Sequence, residues 1–182
     1  MKLKYLLFTI FMGFMLNLHA QKYITKSGKI NIISESPIFT VEGVNKKVAS
    51  ILNTKTGELV ISMLIRSFEF EEAVMEERFN INYLESKSFP KSIFKGKISN
   101  FEDIDFTTDG IYKTHVEGKL TIHGITHDAE VKGLITITNG IISAESEFHI
   151  SLTDFEIEIE RAFKKSIDDD VLLKIDFTFI KH

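Results

Sequence analysis

The stretch Gly118 to Leu134, GKLTIHGITHDAEVKGL, sets the strongest limit on the fold of this chain. In its first half Leu120 and Ile122 alternate with Lys119, Thr121 and His123. In its second half Ala129, Val131 and Gly133 alternate with Glu130 and Lys132. A period of two places the apolar set on one face of an extended chain, the signature of a half-buried β-strand. The polar, glycine-containing middle, His123 to Asp128, reads as a hairpin connection of a few residues. The rest of the chain reads as strands added on either side of this hairpin.

On the N-terminal side, Lys22 to Ser34 alternates through Ile24, Ile30 and Ile32, with Ser27-Gly28 as a turn. Pro37 cannot donate to a ladder and belongs to a turn or an edge. Ile38 to Val48 resumes as a strand with a bend or bulge at Gly43. Leu59 to Phe70 is the longest clean strand signal, with Leu59, Ile61, Met63 and Ile65 on one apolar face. Glu71 to Leu84 breaks the pattern with good helix formers, and one short helical insertion is expected there. Pro90 ends whatever precedes it. From Ile93 onward strand follows strand. Turns are expected at Asp109-Gly110 and Asn139-Gly140, and a solvated acidic turn at Asp168-Asp169-Asp170. About eight strands joined by short turns favour antiparallel neighbours. Closing such an array into a barrel removes exposed edges, and eight strands leave an interior filled by side chains or holding one small ligand. The fold expected is all-β, an antiparallel eight-stranded barrel with one short helical insertion.

Residues 1–20 have the layout of a cleavable secretory signal. Lys2 and Lys4 form a basic start, Leu6 to Leu18 is an apolar run, and Ala20 is a small residue before Gln21. The run is short for a membrane span. The expectation is a mature single domain over 21–182, periplasmic or secreted, with no stable membrane span after cleavage. Loss of the two lysines takes the net charge from −4 to −6. That balance offers no clustered basic patch for nucleic acid. The chain has no cysteine, so stability must come from packing rather than disulfides. Sixteen Phe and no Trp point to many rings that need no hydrogen-bond partner inside.

His115, His123 and His127 are close in sequence, but a metal site needs further converging ligands. They read as solvated histidines on a strand and beside a turn. The glutamates of 69–77 are dense enough to be a solvated helix face rather than a catalytic pair. The sequence contains no G-x-S-x-G, cysteine nucleophile, phosphate-binding glycine loop or H-E-x-x-H motif. No cofactor is expected, and the reading is of a protein that is not an enzyme. The main signal is the alternating apolar set: Leu59, Ile61, Met63, Ile65, Phe94, Ile98, Tyr112, Val116, Ile135, Ile137, Phe148, Ile150, Ile175 and Phe177. These residues either fill a dry core or line an apolar cavity. Gly96, Thr114, Gly118, Gly133, Ala144 and Ser146, small residues on the same faces, would leave room for a chain-like ligand.

The sequence resembles the YceI-like family of secreted lipid- or polyisoprenoid-binding proteins with a lipocalin-like barrel. Gly118-Lys119-Leu120-Thr121-Ile122-His123-Gly124-Ile125-Thr126 is similar to the family's G-x-L-T-x-x-G-x-T hairpin. Phe89-Pro90 followed by Phe94 is similar to its [FY]-P-x-x-x-F pattern, and Glu77-Arg78-Phe79 to the charged stretch before it. Asp154-Phe155-Glu156-Ile157 followed by Asp170-Val171-Leu172-Leu173 is similar to its final pair of strands. Position 156 is Glu where the family often has Gly. The resemblance implies a hollow barrel in which the set above, Ile137 excepted, lines the site of a long-chain lipid or isoprenoid. It implies a binding role. On the reading of a non-catalytic lipid-binding barrel, the head group lies near one open end, and Arg78 and Phe89, near the helical insertion, are the candidates to gate it or contact it. The alternative is a filled barrel that acts through an exposed interaction surface.

Overall fold

The computed structural model describes residues 22–37 and 39–182; the expected signal segment, 1–20, lies outside the described residues. The alternating segments form nine strands: β1 (Lys22–Glu35), β2 (Thr40–Asn53), β3 (Glu58–Leu64), β4 (Phe68–Phe70), β5 (Lys91–Ile98), β6 (Gly110–Ile122), β7 (Ile125–Thr138), β8 (Ile141–Ser151) and β9 (Asp170–Lys181). All pairings are antiparallel, in the order β1-β9-β8-β7-β6-β5-β3-β2, and β2 returns to pair with β1. Eight strands therefore close a barrel, and the short β4 adds to β2 outside that circuit. The expected all-β barrel with one short helix, α1 (Ala73–Arg78), is the observed architecture.

Two hairpins fix the register of the C-terminal half. His123-Gly124 and Asn139-Gly140 have φ of 51° and 79°, and 51° and 76°. Two successive left-handed residues make the tight turn whose twist matches the flanking strands. Phe89 packs directly beneath Gly124, where a Cβ would come within 2.7 Å of its ring. β7 therefore starts at Ile125, earlier than the polar His123–Asp128 stretch suggests, because the turn needs only two residues.

The two barrel ends are closed differently. At the end holding the 53–58 and 138–141 turns, residues 99–109 fold inward, with Ile104 buried and Phe101 and Phe106 stacked 5.8 Å apart. Asn100 extends the wall where β5 stops: its side chain accepts from the His115 N–H at 2.8 Å and donates to the Lys113 carbonyl at 2.9 Å. At the opposite end, residues 65–90 and 152–169 form a cover. Phe79, in the π-helical turn that follows α1, stacks on Phe68 and Phe70 of β4 at 5.3 and 4.9 Å, which anchors the helical insertion. Between the covers lie Ile30, Leu52, Ile98, Ile142, Phe177 and Phe179, all fully buried.

Four local expectations are corrected. The Leu59–Phe70 strand breaks at Ile65, which starts a 3-10 turn over Ile65–Ser67. Fully buried Asn45 donates to the Leu64 carbonyl at 3.0 Å and the Ile65 N–H to the Pro90 carbonyl at 3.0 Å, so tertiary hydrogen bonds outbid the alternation. Ser27-Gly28 is no turn: β1 runs through it with register shifts around Gly28, where the ring of Phe177 occupies the space of a side chain. Gly43 pairs in register with Ile32 and makes no bulge. Thr153–Phe155 is a 3-10 turn rather than a strand, with Glu156 left-handed at φ 54°.

Candidate functional site

Inward-facing positions of the barrel line an apolar cavity of about 90 Å³, which also reaches the outward-facing Lys132, Leu134 and Glu145. Ten of the expected residues line it: Leu59, Ile61 and Met63 from β3; Phe94 and Ile98 from β5; Val116 from β6; Ile135 from β7; Phe148 from β8; Ile175 and Phe177 from β9. Three do not. Ile65 is buried, but in the 3-10 turn at the covered end. Tyr112 lies toward the other end of β6, its hydroxyl donating to the Thr108 carbonyl at 3.0 Å. Ile150 packs on the core near the end of β8. Ile137 is core, as the filled reading of that position has it.

Ile30, Leu52, Leu120, Val131, Leu173 and Phe179 also line the cavity. Most lie on the alternating faces visible in the sequence. Leu52 is the exception, because β2 runs five residues past Val48, where no strand was expected.

The small residues divide into two kinds. Thr114, Gly133, Ala144 and Ser146 line the cavity and create its width. Gly96 and Gly118 do not: they face each other across β5 and β6, and the Phe94 ring occupies the place of both side chains. Two of the inward hydroxyls are turned into the wall. Ser92 donates to the Thr121 carbonyl at 2.9 Å and Ser146 to the Lys132 carbonyl at 2.7 Å. With their donors satisfied, these two groups add little polar character to the apolar wall.

A polar cleft lies at the covered end, lined by Tyr83, Glu85, His123, Arg161 and Lys164 among others, and it shares no lining residue with the cavity. Both functional residues proposed near the helical insertion make contacts here. The Arg78 guanidinium stacks 4.3 Å over Phe163 and lies 3.8 Å from Glu160, to which Asn82 also donates at 2.6 Å. Phe89 meets His123 edge-on at 4.5 Å. The Arg78 and Asn82 contacts clamp the helical insertion to the 158–167 segment, and the Phe89 contact joins the loop before β5 to the β6–β7 turn. Two of the three histidines serve the same cover: His123 Nδ1 lies 3.2 Å from the Phe155 carbonyl and His127 Nε2 2.7 Å from the Asp154 carbonyl. A carbonyl only accepts, so these ring nitrogens carry the protons. The Tyr83 hydroxyl is buried without a hydrogen-bond partner. Its pKa is pushed up by burial and by Glu160, with Arg78 opposing.

The 168–170 turn is more than a solvated acidic run. The Asp169 carboxylate accepts from the Ser151 hydroxyl at 2.6 Å and from the Thr153 hydroxyl and N–H at 2.7 and 2.8 Å. It ties the end of β8 to the start of β9, and these hydrogen bonds hold its pKa below the ordinary range.

The family model described as a YceI-like domain matches residues 24–179. No curated relative matches the sequence. Among solved structures, a polyisoprenoid-binding domain from Saccharophagus degradans implicated in plant cell wall breakdown superposes with a TM-score of 0.78 at 12% identity, covering 90% of this chain and 99% of that one. BcnA of Burkholderia cenocepacia gives 0.70 at 18% identity, covering 85% and 96%. A YceI protein of Campylobacter jejuni gives 0.59 at 18% identity, covering 77% and 85%. At these identities the likeness is one of fold.

Proposed function

The chain belongs to the YceI-like family, and from that premise we propose that it is a secreted, non-catalytic protein that binds the tail of a long-chain apolar ligand, an isoprenoid or another lipid, in its barrel. The observation that carries this reading is the apolar cavity at the centre of the barrel, with the Ser92 and Ser146 hydroxyls turned into the wall. Hydrocarbon entering such a space gains about 0.8 kcal/mol for each methylene removed from water. The description of the S. degradans domain as polyisoprenoid-binding supports the same ligand class. The basic start, apolar run and Ala20 of residues 1–20 support export to a periplasm or beyond.

Native mass spectrometry of protein purified from its own envelope fraction, followed by organic extraction, tests the reading. A stoichiometric hydrophobic adduct is expected. A clean apo mass with no uptake of added isoprenoids or fatty acids would overturn it and leave a filled barrel acting through its outer surface.

A further inference from the structure

We propose that the ligand enters through the barrel wall, at a seam between β7 and β8, and that its polar end remains outside in the groove over that seam. This rests on the lipid-binding reading above and adds the route and the head-group site.

The seam follows from the register. β6 and β7 pair along their whole length, from Gly110↔Ile137 to Ile122↔Ile125. The β7–β8 ladder runs from Thr138↔Ile141 only as far as Gly133↔Ser146. β8 stays paired with β9 to Ser151↔Asp170. Residues 125–132 thus have strand partners on the β6 side alone, and 147–151 on the β9 side alone. Near the covered end the 153–155 turn reaches β7 through His127 and the Asp154 carbonyl. Just beyond the last ladder pair, the Ser146 hydroxyl bridges to the Lys132 carbonyl. Strands joined by a ladder cannot part without breaking backbone hydrogen bonds, whereas strands joined by one hydroxyl can.

The interior and the exterior meet at this place. A groove of about 450 Å³ runs over the outer surface, and Lys132, Gly133, Leu134, Glu145, Ser146 and Ile175 line both it and the cavity. At Gly133 the wall has no side chain. The cavity's 90 Å³ is well below the ~300–1,000 Å³ that encloses a drug-sized ligand. A long-chain amphiphile must extend past it, and the shared wall offers the continuation. The groove suits the polar end rather than the tail, because Lys29, Lys132 and Lys174 line it with Glu145, Glu147 and Asp176. Equal numbers of the two signs match a head group that both donates and accepts hydrogen bonds.

The chain has no cysteine, so a single engineered pair can staple the seam. K132C/E147C places thiols on the two exposed positions next after Gly133↔Ser146. Uptake of cis-parinaric acid, a fatty acid whose polyene fluoresces when buried, is followed by stopped flow in the purified protein. The oxidised form is expected to take it up more than about tenfold more slowly than the same protein after reduction. Independently, Ser146→Ala removes the bridge and is expected to speed release about fivefold. Equal uptake rates in the oxidised and reduced forms, or an unchanged release rate in the Ala variant, would overturn the wall route while leaving lipid binding standing. If the unmodified protein takes up neither parinaric acid nor geranylgeraniol, the lipid-binding reading falls and this inference with it.

Discussion

The Phe94 ring lies where Gly118 would carry a side chain: a Cβ built there would come within 2.7 Å of the ring tip. The opposing glycine, Gly96, makes the same room from the other strand, at 2.6 Å. Two facing glycines therefore seat one phenyl ring flat against the wall. That ring defines one side of the cavity, so the pair shapes the site without touching its contents.

Gly118→Ala is expected to destabilise the barrel by about 1–3 kcal/mol, the usual cost of overpacking. The new methyl would also lie 2.4 Å from the Lys95 carbonyl oxygen, which a rotamer change in Phe94 cannot relieve. Thermal unfolding should show a drop of roughly 2–4 °C per kcal/mol for a domain of this size. An unchanged melting temperature would show that the ring is not locked in this seat.

Ala144→Leu tests whether the cavity is used. Ala144 lines it, so a larger side chain fills space rather than displacing packed atoms. Binding of a long-chain fatty acid is expected to weaken at least about tenfold, with stability maintained or raised. Undiminished binding would place the ligand elsewhere.

Glu156 holds a left-handed backbone, φ 54°, with an exposed side chain, a conformation that glycine adopts at no steric cost. Glu156→Gly removes the Cβ penalty of that conformation and is expected to stabilise the fold by about 0.5–1 kcal/mol. Urea unfolding would read this as a higher midpoint with the same slope.

Asp169 couples the covered end to pH. Its folded-state pKa lies below the unfolded value, so its contribution is fully present above about pH 4 and is lost as pH falls through the folded pKa. Asp105 and Asp128 are also held low, but both are exposed. Asp169→Asn should be less stable than the unmodified protein at neutral pH, and the difference should shrink on acidification. Denaturant titrations on both sides of pH 4 check this; a constant difference would deny the carboxylate its role as acceptor for Ser151 and Thr153.

The alternation of apolar and polar residues was enough to assign most strands, their inward faces and the closed antiparallel barrel. It also brought ten of thirteen expected residues to the cavity wall, because side-chain direction in a strand depends on parity alone. The glycines of the two tight hairpins were legible for an equally local reason, the positive φ they supply. Other features depended on what stands opposite in space. Ile65 left its strand because Asn45 and Pro90 hold the chain there. Gly96 and Gly118 became a seat for Phe94 rather than open space, since only the register sets them face to face. The length of each ladder is likewise a property of two strands together. No single-strand pattern could show that β7 and β8 separate beyond Gly133 and Ser146, and that separation gives the barrel its seam.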